Sequence, residues 1–345
     1  MAEPATKITL NTEQSVNDIL ATIERERERE IVSRRFGLFD RKETLEQIGE
    51  LLGITRERVR QLEKSVVTRL KTASEQGALP HIPEVQERLI DELNEVGEVA
   101  RISDLSARVS SDDRLEQARL TFLSLLGPEL VVINDDDNYF TSVGVKAEHD
   151  EKAIKTAVDK LIETIKKLGE PKTIEEIATA AQISDPKRAS ALASTSKHLA
   201  TLNGRWGLVK WPMVNPKNIR DKIYVILREH GKHMHFNEIA AAIKDSEFKR
   251  KEVTTQAIHN ELIKDKRFVL IGRGIYALKE WGYEKGTVAD IIAQVLKKAN
   301  EPLHRDEIVK RVLKSRYVKE TTILLNLQGK PQFKRVAKAT YSLAE

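Results

Sequence analysis

Residues 44–71 read TLEQIGELLGITRERVRQLEKSVVTRLK, and this stretch predicts two helices joined by a tight turn. Thr44, followed three residues later by Gln47, is typical of a capping box at a helix start. Gly53 can end that helix in a left-handed conformation, and Thr55 can cap the next helix. A helix, a short turn and a second helix form the arrangement of a DNA-reading helix-turn-helix.

The second helix has two unlike faces when it is wrapped at about 100° per residue. Its apolar residues fall on one seam, which consists of Val59, Leu62, Val66 and Leu70. Its polar residues fall on the opposite arc, which consists of Arg56, Glu57, Arg60, Gln61 and Lys64. We therefore expect the seam to pack and the arc to face outward. Gly49, on the first helix, is small at the point where two crossing helices would touch.

The outward arc carries side chains that suit the edges of DNA bases. Arginine pairs with guanine, glutamine pairs with adenine, and glutamate accepts from cytosine in the major groove. The residues predicted to read bases are Arg56, Glu57, Arg60 and Gln61. The alternative is a face that is merely solvated. Arg56 and Arg60 repel each other at i,i+4, however, and a DNA anion beside them would offset that cost.

The segments before this hairpin carry weaker signals. Residues 1–19 are predicted to form a poorly ordered tail. A helical segment over 19–39 follows, in which Ile23, Ile31 and Phe36 are the expected anchors. Its alternating Glu and Arg residues place like charges four positions apart, so this segment needs tertiary support.

From residue 80 onward a unit recurs about four times. Each copy has a long helix, a corner that begins with Gly or Asn, a further helix and a closing β-hairpin. An aromatic residue is expected in the second strand of each hairpin, at Tyr139, Trp206, Tyr276 and Tyr341, with spacings of 67, 70 and 65 residues. Self-similarity at such a period indicates an array of small domains. Three helices with a terminal hairpin is the winged-helix plan.

The sequence thus predicts a mainly α (α+β) protein, in which an N-terminal helix-turn-helix precedes about four small winged-helix modules with short β-hairpins. The predicted helix-turn-helix domain spans 20–75, and the predicted modules span 80–142, 150–212, 217–282 and 287–345. Proline, glycine or charge marks linkers near 76–82, 143–150, 212–217 and 282–287.

Charge is distributed unevenly along the 345 residues, whose net charge is +5. Residues 76–149 contain 15 acidic and six basic residues, whereas residues 215–345 contain 27 basic and 16 acidic residues. A basic C-terminal third favours a polyanionic partner, although charged blocks can also serve only solubility. DNA would repel the acidic module, which we expect to face protein or to shield a basic surface.

The absence of cysteine excludes disulfides and thiolate zinc sites, and it fits a reducing cytosol. No apolar run is long enough for a transmembrane helix, and the first residues do not read as a signal peptide. We therefore expect a cytoplasmic protein that does not contact a membrane.

Other candidate sites carry little chemistry. A cluster of three histidines suggests a zinc site; it consists of His230, His233 and His235. No further ligand lies at a suitable spacing, so we predict no metal. Gly272–Gly274 reads as a hairpin turn and not a phosphate loop, and Arg273 at its tip could touch DNA. No nucleophile elbow, P-loop or cofactor motif is present, so we expect neither an enzyme nor a small-molecule substrate.

Residues 27–71 resemble the C-terminal region of bacterial sigma-70-family factors, the part that reads the minus-35 promoter element. The resemblance rests on RFGL at 35–38, TLEQIGELLGITRERVRQLE at 44–63 and RLK at 69–71. It implies base reading by the four residues named above, and it places further residues near phosphates, namely Thr44, Thr55, Arg58 and Lys64. It also implies double-stranded DNA and RNA polymerase as partners, with docking on the beta flap through an apolar surface of the earlier helices.

The sequence also departs from that family. Sigma factors carry, upstream, an aromatic-rich region that binds the polymerase clamp and melts DNA, and only about 25 residues precede the match here. We therefore expect that this chain does not initiate transcription as a stand-alone sigma factor.

A second resemblance covers residues 218–283, which are similar to the HARE-HTH winged-helix family on HFNEI and GRGIYAL. RWGLVKW at 205–211 resembles the ending of the RNA polymerase delta-subunit domain. These resemblances imply contact with nucleic acid or the transcription machinery and leave open whether the modules bind DNA, RNA or protein.

Two functions follow as hypotheses. The first is a sequence-specific DNA-binding transcription regulator that acts with bacterial RNA polymerase and is associated with the nucleoid. The second is a polymerase-associated protein that docks on the beta flap and modulates or competes with sigma, with DNA contact incidental.

Overall fold

The structure is a computed structural model that describes residues 10–111, 113–146, 150–248 and 252–344. It is mainly helical with small three-stranded antiparallel sheets, which confirms the predicted fold class. The chain divides into two compact units, Met1–Val209 and Lys210–Glu345.

Four helices precede the repeated modules. They are α1 (Thr12–Ala21), α2 (Glu26–Phe36), α3 (Leu45–Leu52) and α4 (Arg56–Glu75). The single helical segment predicted over 19–39 is therefore broken, because α1 ends before the Glu/Arg-rich run and α2 begins within it.

The prediction of a poorly ordered tail over 1–19 is wrong for the part that the structure describes. Helix α1 begins at Thr12, and its Val16 and Ile19 are fully buried. These residues belong to an apolar stripe at helical spacing, which the short length of the segment conceals in the sequence. Residues 1–9 lie outside the described residues.

Each repeated module has the same order of elements: a helix, a short strand, two helices and two strands. The first comprises α5 (Ile82–Val96), β1 (Val99–Arg101), α6 (Ile102–Val109), α7 (Arg114–Leu126), β2 (Leu130–Ile133) and β3 (Ser142–Val145). The second comprises α8 (Glu151–Leu168), β4 (Lys172–Thr173), α9 (Ile174–Ala181), α10 (Pro186–Thr195), β5 (Leu199–Leu202) and β6 (Arg205–Leu208).

The second unit of the chain holds the other two modules. The third comprises α11 (Ile219–His230), β7 (Met234–His235), α12 (Phe236–Asp245), α13 (Thr255–Lys264), β8 (Phe268–Gly272) and β9 (Ile275–Leu278), followed by a 3-10 turn at Lys279–Trp281. The fourth comprises α14 (Val288–Ala299), β10 (Leu303–His304), α15 (Arg305–Leu313), α16 (Glu320–Gly329), β11 (Phe333–Ala337) and β12 (Thr340–Leu343).

The repeated corners end the first helix of each module. The residue after that helix has a positive φ in all four copies, at Gly97, Gly169, Gly231 and Asn300. Glycine and asparagine tolerate this left-handed conformation, which lets the chain turn sharply into the first strand.

The third strand lies in the middle of every sheet, with the first strand on one side and the second on the other. This order is that of a winged-helix-like module. The predicted aromatic residues Trp206, Tyr276 and Tyr341 lie in the third strand and pair with the first strand of their own modules.

Tyr139 does not follow that rule, so its predicted place in the second hairpin strand is wrong. It lies before β3 and forms an isolated bridge with Ser196 of the second module. The position that corresponds to the other aromatic residues is held by Val143, which pairs with Ala100 and is fully buried. The acidic segment before Tyr139 lengthens the loop. A prediction from the regular spacing of aromatic residues does not detect such an insertion.

One hydrophobic core joins the helix-turn-helix segment to the first module. It includes Val16 of α1, Val66 of α4 and Leu120 of α7. Leu79 and Ile82, which lie in the linker predicted over 76–82, are buried in the same core. The helix-turn-helix is therefore mounted on the first module and is not tethered to it by a solvated linker.

Candidate nucleic-acid interface

Local interactions form the hairpin α3–turn–α4 as the sequence predicts. The Thr44 hydroxyl accepts from the Gln47 backbone N–H at 3.2 Å, and the Gln47 side chain accepts from the Thr44 N–H at 2.9 Å. Gly53 ends α3 with φ of 62°. The Thr55 hydroxyl then accepts from the Arg58 N–H at 3.2 Å and caps α4. Both ends of α3 and the start of α4 have a side-chain or left-handed cap, so the turn is well defined.

Gly49 sets how closely the two helices approach. A Cβ at this position would lie 2.7 Å from the carbonyl oxygen of Ile54, which is a backbone atom and cannot swing away. Behind the hairpin, Ile31, Ile48 and Val59 are fully buried together. The predicted seam of α4 is buried at Val59, Val66 and Leu70 and half-buried at Leu62. The packed face and the outward arc of α4 are therefore those that the sequence predicts.

The four predicted base-reading side chains share the exposed arc at the start of α4. The side chains of Arg56, Glu57 and Arg60 are 68%, 57% and 53% exposed, and Gln61 is exposed as well. Neighbouring elements of the chain therefore leave this arc open to solvent, which a helix entering a major groove requires.

An electrostatic network centred on Glu57 orders the arc. Arg60 donates to its carboxylate from Nε at 2.8 Å and from Nη2 at 2.6 Å, and Gln61 donates from Nε2 at 3.3 Å. The hydrogen bonds from Arg60 lower the pKa of Glu57 to about 2, so Glu57 is ionised at neutral pH. The pair presents a preformed donor and acceptor set.

The predicted phosphate-contacting residues are exposed at the same two helices, α3 and α4. Thr44 and Thr55 are exposed at the starts of α3 and α4, and their hydroxyls accept the capping hydrogen bonds, which leaves their protons available to a ligand. Arg58 is exposed and donates to Gln61 at 3.4 Å, and Lys64 is exposed one turn further on. The structure therefore leaves all four of these residues exposed, at the starts of α3 and α4 and along α4.

Two ion pairs hold the arc in relation to the rest of the hairpin. Arg56 pairs with Glu46 of α3 at 2.7 Å, and Arg35 of α2 pairs with Glu63 of α4 at 3.3 Å. The pairing of Arg56 with Glu46 also offsets its repulsion with Arg60. The repulsion between Arg56 and Arg60 is thus partly offset within the chain, without DNA.

Sequence reasoning missed the buried polar network that fixes α2 and its loop to the first module. Arg119 of α7 donates from Nε to the carbonyl oxygen of Leu38 at 3.0 Å and from Nη1 to Glu116 at 2.9 Å, and it pairs with Glu13 at 2.9 Å. Thr12 donates to Glu116 at 2.5 Å. No local signal could find this network, because its partners lie up to 104 positions apart in the sequence.

The first two modules use their own third helices for packing. Helix α7 packs against α1, α2 and α4, and Phe122 and Leu120 on it are fully buried. Helix α10 packs against β1, and a Cβ on Gly97 would lie 2.7 Å from the Arg188 Cα. In a winged helix the third helix is the element that reads DNA, and in these modules it is covered.

The hairpin loop of the first module is occupied as well. Lys197 donates its backbone N–H to the Asn138 carbonyl at 2.8 Å, and Phe140 donates its N–H to the Thr195 carbonyl at 2.8 Å. The guanidinium of Arg101 lies 4.1 Å from the Phe140 ring centroid. This loop is therefore a joint to the second module, which accounts for its lack of a basic character.

Arg273 lies where the sequence predicts, in the turn of the third module's hairpin, and it is exposed. Strand β8 beside it is partly covered within the same unit, because the Tyr317 N–H donates to the Ile271 carbonyl at 3.1 Å. Arg273 is therefore a single exposed cation beside a strand whose edge is partly occupied by the hydrogen bond from Tyr317.

His233 and His235 contribute local structure, and His230 is the last residue of α11. The His235 ring accepts from the Asn237 N–H at 3.3 Å as the cap of α12, and the His233 ring lies 4.6 Å from the Tyr317 ring. Among the described residues, no cluster of His, Cys, Asp or Glu is placed to hold a metal ion. Over the same part of the chain, no helix combines the length and apolar character that crossing a membrane requires.

Comparison with known proteins gives matches to sigma factors over short stretches of the chain. One stretch is 42% identical over 62 residues to "RNA polymerase sigma factor SigA" from Bacillus sp, covering 18% of this chain and 16% of that protein. Another is 50% identical over 46 residues to "RNA polymerase sigma factor sigB" from Arabidopsis thaliana, covering 13% of this chain and 8% of that protein. The chain thus spans less than a fifth of the length of either relative. Residues 25–72, which contain α2, α3 and most of α4, match the family described as "Sigma-70, region 4".

Proposed function

We propose that this protein is a sequence-specific DNA-binding regulator of transcription that acts with bacterial RNA polymerase at the nucleoid. The start of α4 enters a major groove, and Arg56, Glu57, Arg60 and Gln61 meet the base edges there. Thr44, Thr55, Arg58 and Lys64 contact the phosphates on either side. The mechanism is binding, and each good bidentate base contact contributes roughly 1–3 kcal/mol of discrimination.

This proposal rests on one observation: the polar arc of α4 is exposed, while the opposite face of the same helix is packed in the core. Four side chains of types that suit base edges are exposed on one helix start, in the segment that matches the sigma-70 region 4 family. The same helix is buried on its other face at Val66 and Leu70, so the reading surface is presented in a fixed orientation. A pre-ordered surface loses little conformational entropy on binding, which favours affinity.

The rival hypothesis, docking on the polymerase beta flap, receives less support from the packing. It requires an apolar surface on the earlier helices. Val32 on α2 and Leu38 in the loop after it are fully buried in the core shared with α1 and α7, and Phe36 lies 5.0 Å from the Phe122 ring. These side chains are occupied within the chain, whereas Phe39 after α2 and Leu51 of α3 are 43% and 55% exposed, so a flap contact would have to use those two residues. We favour a polymerase contact made elsewhere.

The winged-helix-like modules extend this function. We assign the third module to the HARE-HTH type and the second to a delta-subunit-like type, on the sequence resemblance together with the shared strand order. In this proposal the first two modules hold the reading hairpin, and the basic second unit supplies contacts to nucleic acid.

The experiment titrates the purified chain against duplexes with and without a TTGACA-like sequence at several salt concentrations. We expect a preference for one duplex and a log–log salt slope of several. Arg60→Ala should strongly reduce the preference, because Arg60 meets a base edge, whereas Lys64→Ala, which removes a proposed phosphate contact, should lower the slope by about one. Lys71→Ala serves as a matched control and should keep the preference. Lys71 is an exposed cation about four helical turns after the start of α4.

A polymerase pull-down with the same variants separates the two hypotheses. Direct reading predicts that Arg60→Ala loses sequence preference whether or not polymerase is retained. If the unaltered chain shows no sequence preference while polymerase still co-purifies, the docking hypothesis replaces the proposed function.

A further inference from the structure

The four copies of the closing hairpin carry very different charges at the same place in the module. The hairpin of the first module, residues 130–145, has three aspartates and no cation. Those of the second and third modules have one arginine each, Arg205 and Arg273. The hairpin of the fourth module has three cations and no acidic residue, and its cations are Lys334, Arg335 and Lys338. Because the fold is shared, this difference reflects what each hairpin faces.

The three cations of the fourth hairpin are exposed and make no ion pair with any described residue. Within the part of the chain that the structure describes, Arg335 donates to the carbonyl oxygen of Ala337, at 3.2 Å. Across residues 321–344 the sequence contains no acidic residue at all. Elsewhere in the second unit, arginines such as Arg311 and Arg267 pair with carboxylates at 2.6 Å and 2.8 Å. Clustered cations without counter-charges raise the local positive potential, which attracts a polyanion.

The edge position and the bulge of strand β11 affect the direction of its charged side chains. Strand β11 is an edge strand, since β12 lies between it and β10. Its register shifts between Arg335 and Ala337, which is a bulge, and Ala339 turns the chain with φ of 55°. A bulge bends and twists a strand, so it re-aims the side chains around it. Phe333 and Tyr341 anchor the base of the hairpin in the core of the module.

The third helix of the same module lacks the charge that its hairpin has. Helix α16 contains no lysine or arginine, and its first residue is Glu320. Its most exposed apolar side chain is Leu325, at 68% exposure. A helix without cations is poorly suited to lie between phosphate backbones. In the fourth module the wing, and not the helix, is the element suited to DNA.

The same hairpin favours duplex over single-stranded nucleic acid. Proteins that bind single strands stack bases on exposed aromatic side chains. The two aromatic residues of this hairpin, Phe333 and Tyr341, are each 7% exposed and serve the core instead. The exposed side chains of this hairpin include those of the three cations and of Val336, which is 47% exposed, and the cations suit a sugar–phosphate backbone.

We propose that the wing of the fourth module, through Lys334, Arg335 and Lys338, binds the phosphate backbone of double-stranded DNA without regard to sequence. This proposal rests on the proposed function, and it adds a second contact that supplies affinity while α4 supplies specificity. The wing of the first module, with the opposite charge, serves as an internal joint. In this proposal the same hairpin binds DNA in the fourth module and packs against a neighbouring module in the first.

The test compares the full chain with K334A/R335A/K338A on a random duplex that lacks any TTGACA-like sequence. Each phosphate contact contributes about 0.9 to the log–log salt slope, so the slope should fall by about two to three. A matched control removes three exposed lysines of α8 in K152A/K160A/K167A and should keep the slope of the unaltered chain. The conservative variant K334R/R335K/K338R should also keep it.

Three outcomes would overturn the proposal. One is a triple alanine variant that binds the random duplex like the α8 control. Another is stronger binding of a single strand of the same length than of the duplex. The last is a triple alanine variant that binds DNA normally but self-associates in sedimentation, which would assign the cations to protecting an edge strand from pairing.

The same titrations keep this proposal apart from the function proposed for α4. If the wing proposal fails alone, the triple alanine variant keeps its affinity while Arg60→Ala still loses sequence preference. If base reading fails alone, no variant shows a preference, but the slope still depends on the wing.

Discussion

Arg60 and Glu57 form a two-pronged hydrogen-bonded ion pair on the exposed face of α4, with Nε and Nη2 at 2.8 Å and 2.6 Å from the carboxylate oxygens. The guanidinium that is best suited to guanine is therefore held by a carboxylate one turn away. Binding to DNA must either keep this pair as a unit or exchange Glu57 for a base edge. If α4 binds DNA as proposed, we expect Glu57 to oppose non-specific attraction to phosphate and to make binding depend on sequence.

Replacing Glu57 should separate affinity from specificity. Glu57→Gln removes a negative charge that faces DNA and releases Arg60, so we expect the affinity for random duplex to rise by roughly three- to tenfold. Sequence preference should fall, because the acceptor for cytosine is weakened. Fluorescence anisotropy at fixed salt measures both quantities. Glu50→Gln removes one exposed charge from α3 as the control, and an equal rise in that variant would contradict a specific role for Glu57.

The charge of Glu57 should not change over the physiological pH range. Its pKa is lowered to about 2 by Arg60, so the carboxylate is ionised from pH 8 down to pH 5. Because the pKa in the folded chain is depressed, the pair stabilises the fold above the ordinary pKa of glutamate and is lost as the pH falls towards 2. Carbon-detected NMR titration of the Glu57 carboxyl group measures this directly. A midpoint above pH 4 would show that the pair does not persist in solution.

The two glycines of the hairpin should respond to alanine for different reasons. Gly49→Ala drives a Cβ into the backbone of Ile54 and should lower the free energy of unfolding by about 2 kcal/mol. Gly53→Ala meets no atom within 4 Å but must adopt a positive φ, which should cost about 1 kcal/mol. Gly53→Asn should recover part of that loss, since asparagine tolerates this conformation. Urea unfolding measures all three, and equal losses for Gly49→Ala and Gly53→Asn would refute the distinction.

Breaking the buried network at Arg119 should loosen the mount of the hairpin. Arg119→Met leaves Glu116 without its cation and the Leu38 carbonyl without its donor, so we expect a loss of about 3 kcal/mol. The double variant E116Q/R119M removes the remaining buried charge and should lose less. Urea unfolding with a double-mutant cycle tests the coupling between the two residues. Strictly additive losses would indicate that they stabilise the fold independently.

Short-range signals account for what could be predicted at the reading hairpin. The capping box at Thr44, the left-handed Gly53 and the cap at Thr55 each act within a few residues, and the seam of α4 follows from helical periodicity. The four modules could be recognised for the same reason, since every copy repeats a glycine or asparagine corner and an alternating hairpin. These features need no knowledge of the distant parts of the chain.

Long-range packing accounts for what the sequence missed. Helix α1 is stabilised by burial against α7 about a hundred residues away, and Tyr139 leaves its expected strand to bridge Ser196. The candidate phosphate-binding wing was also overlooked, because Lys334, Arg335 and Lys338 become a distinctive cluster only when the four hairpins are compared at equivalent positions.

The sequence by itself determined the helix-turn-helix, the identity of its outward residues and the repetition of a small module, because caps, turns and periodicity are encoded within about ten residues. Tertiary structure alone decided which copies of the module keep a free surface. Whether α7 or the loop before Tyr139 is exposed depends on the burial of apolar area and on hydrogen bonds between segments far apart in the chain, and those energies exist only after the chain has folded.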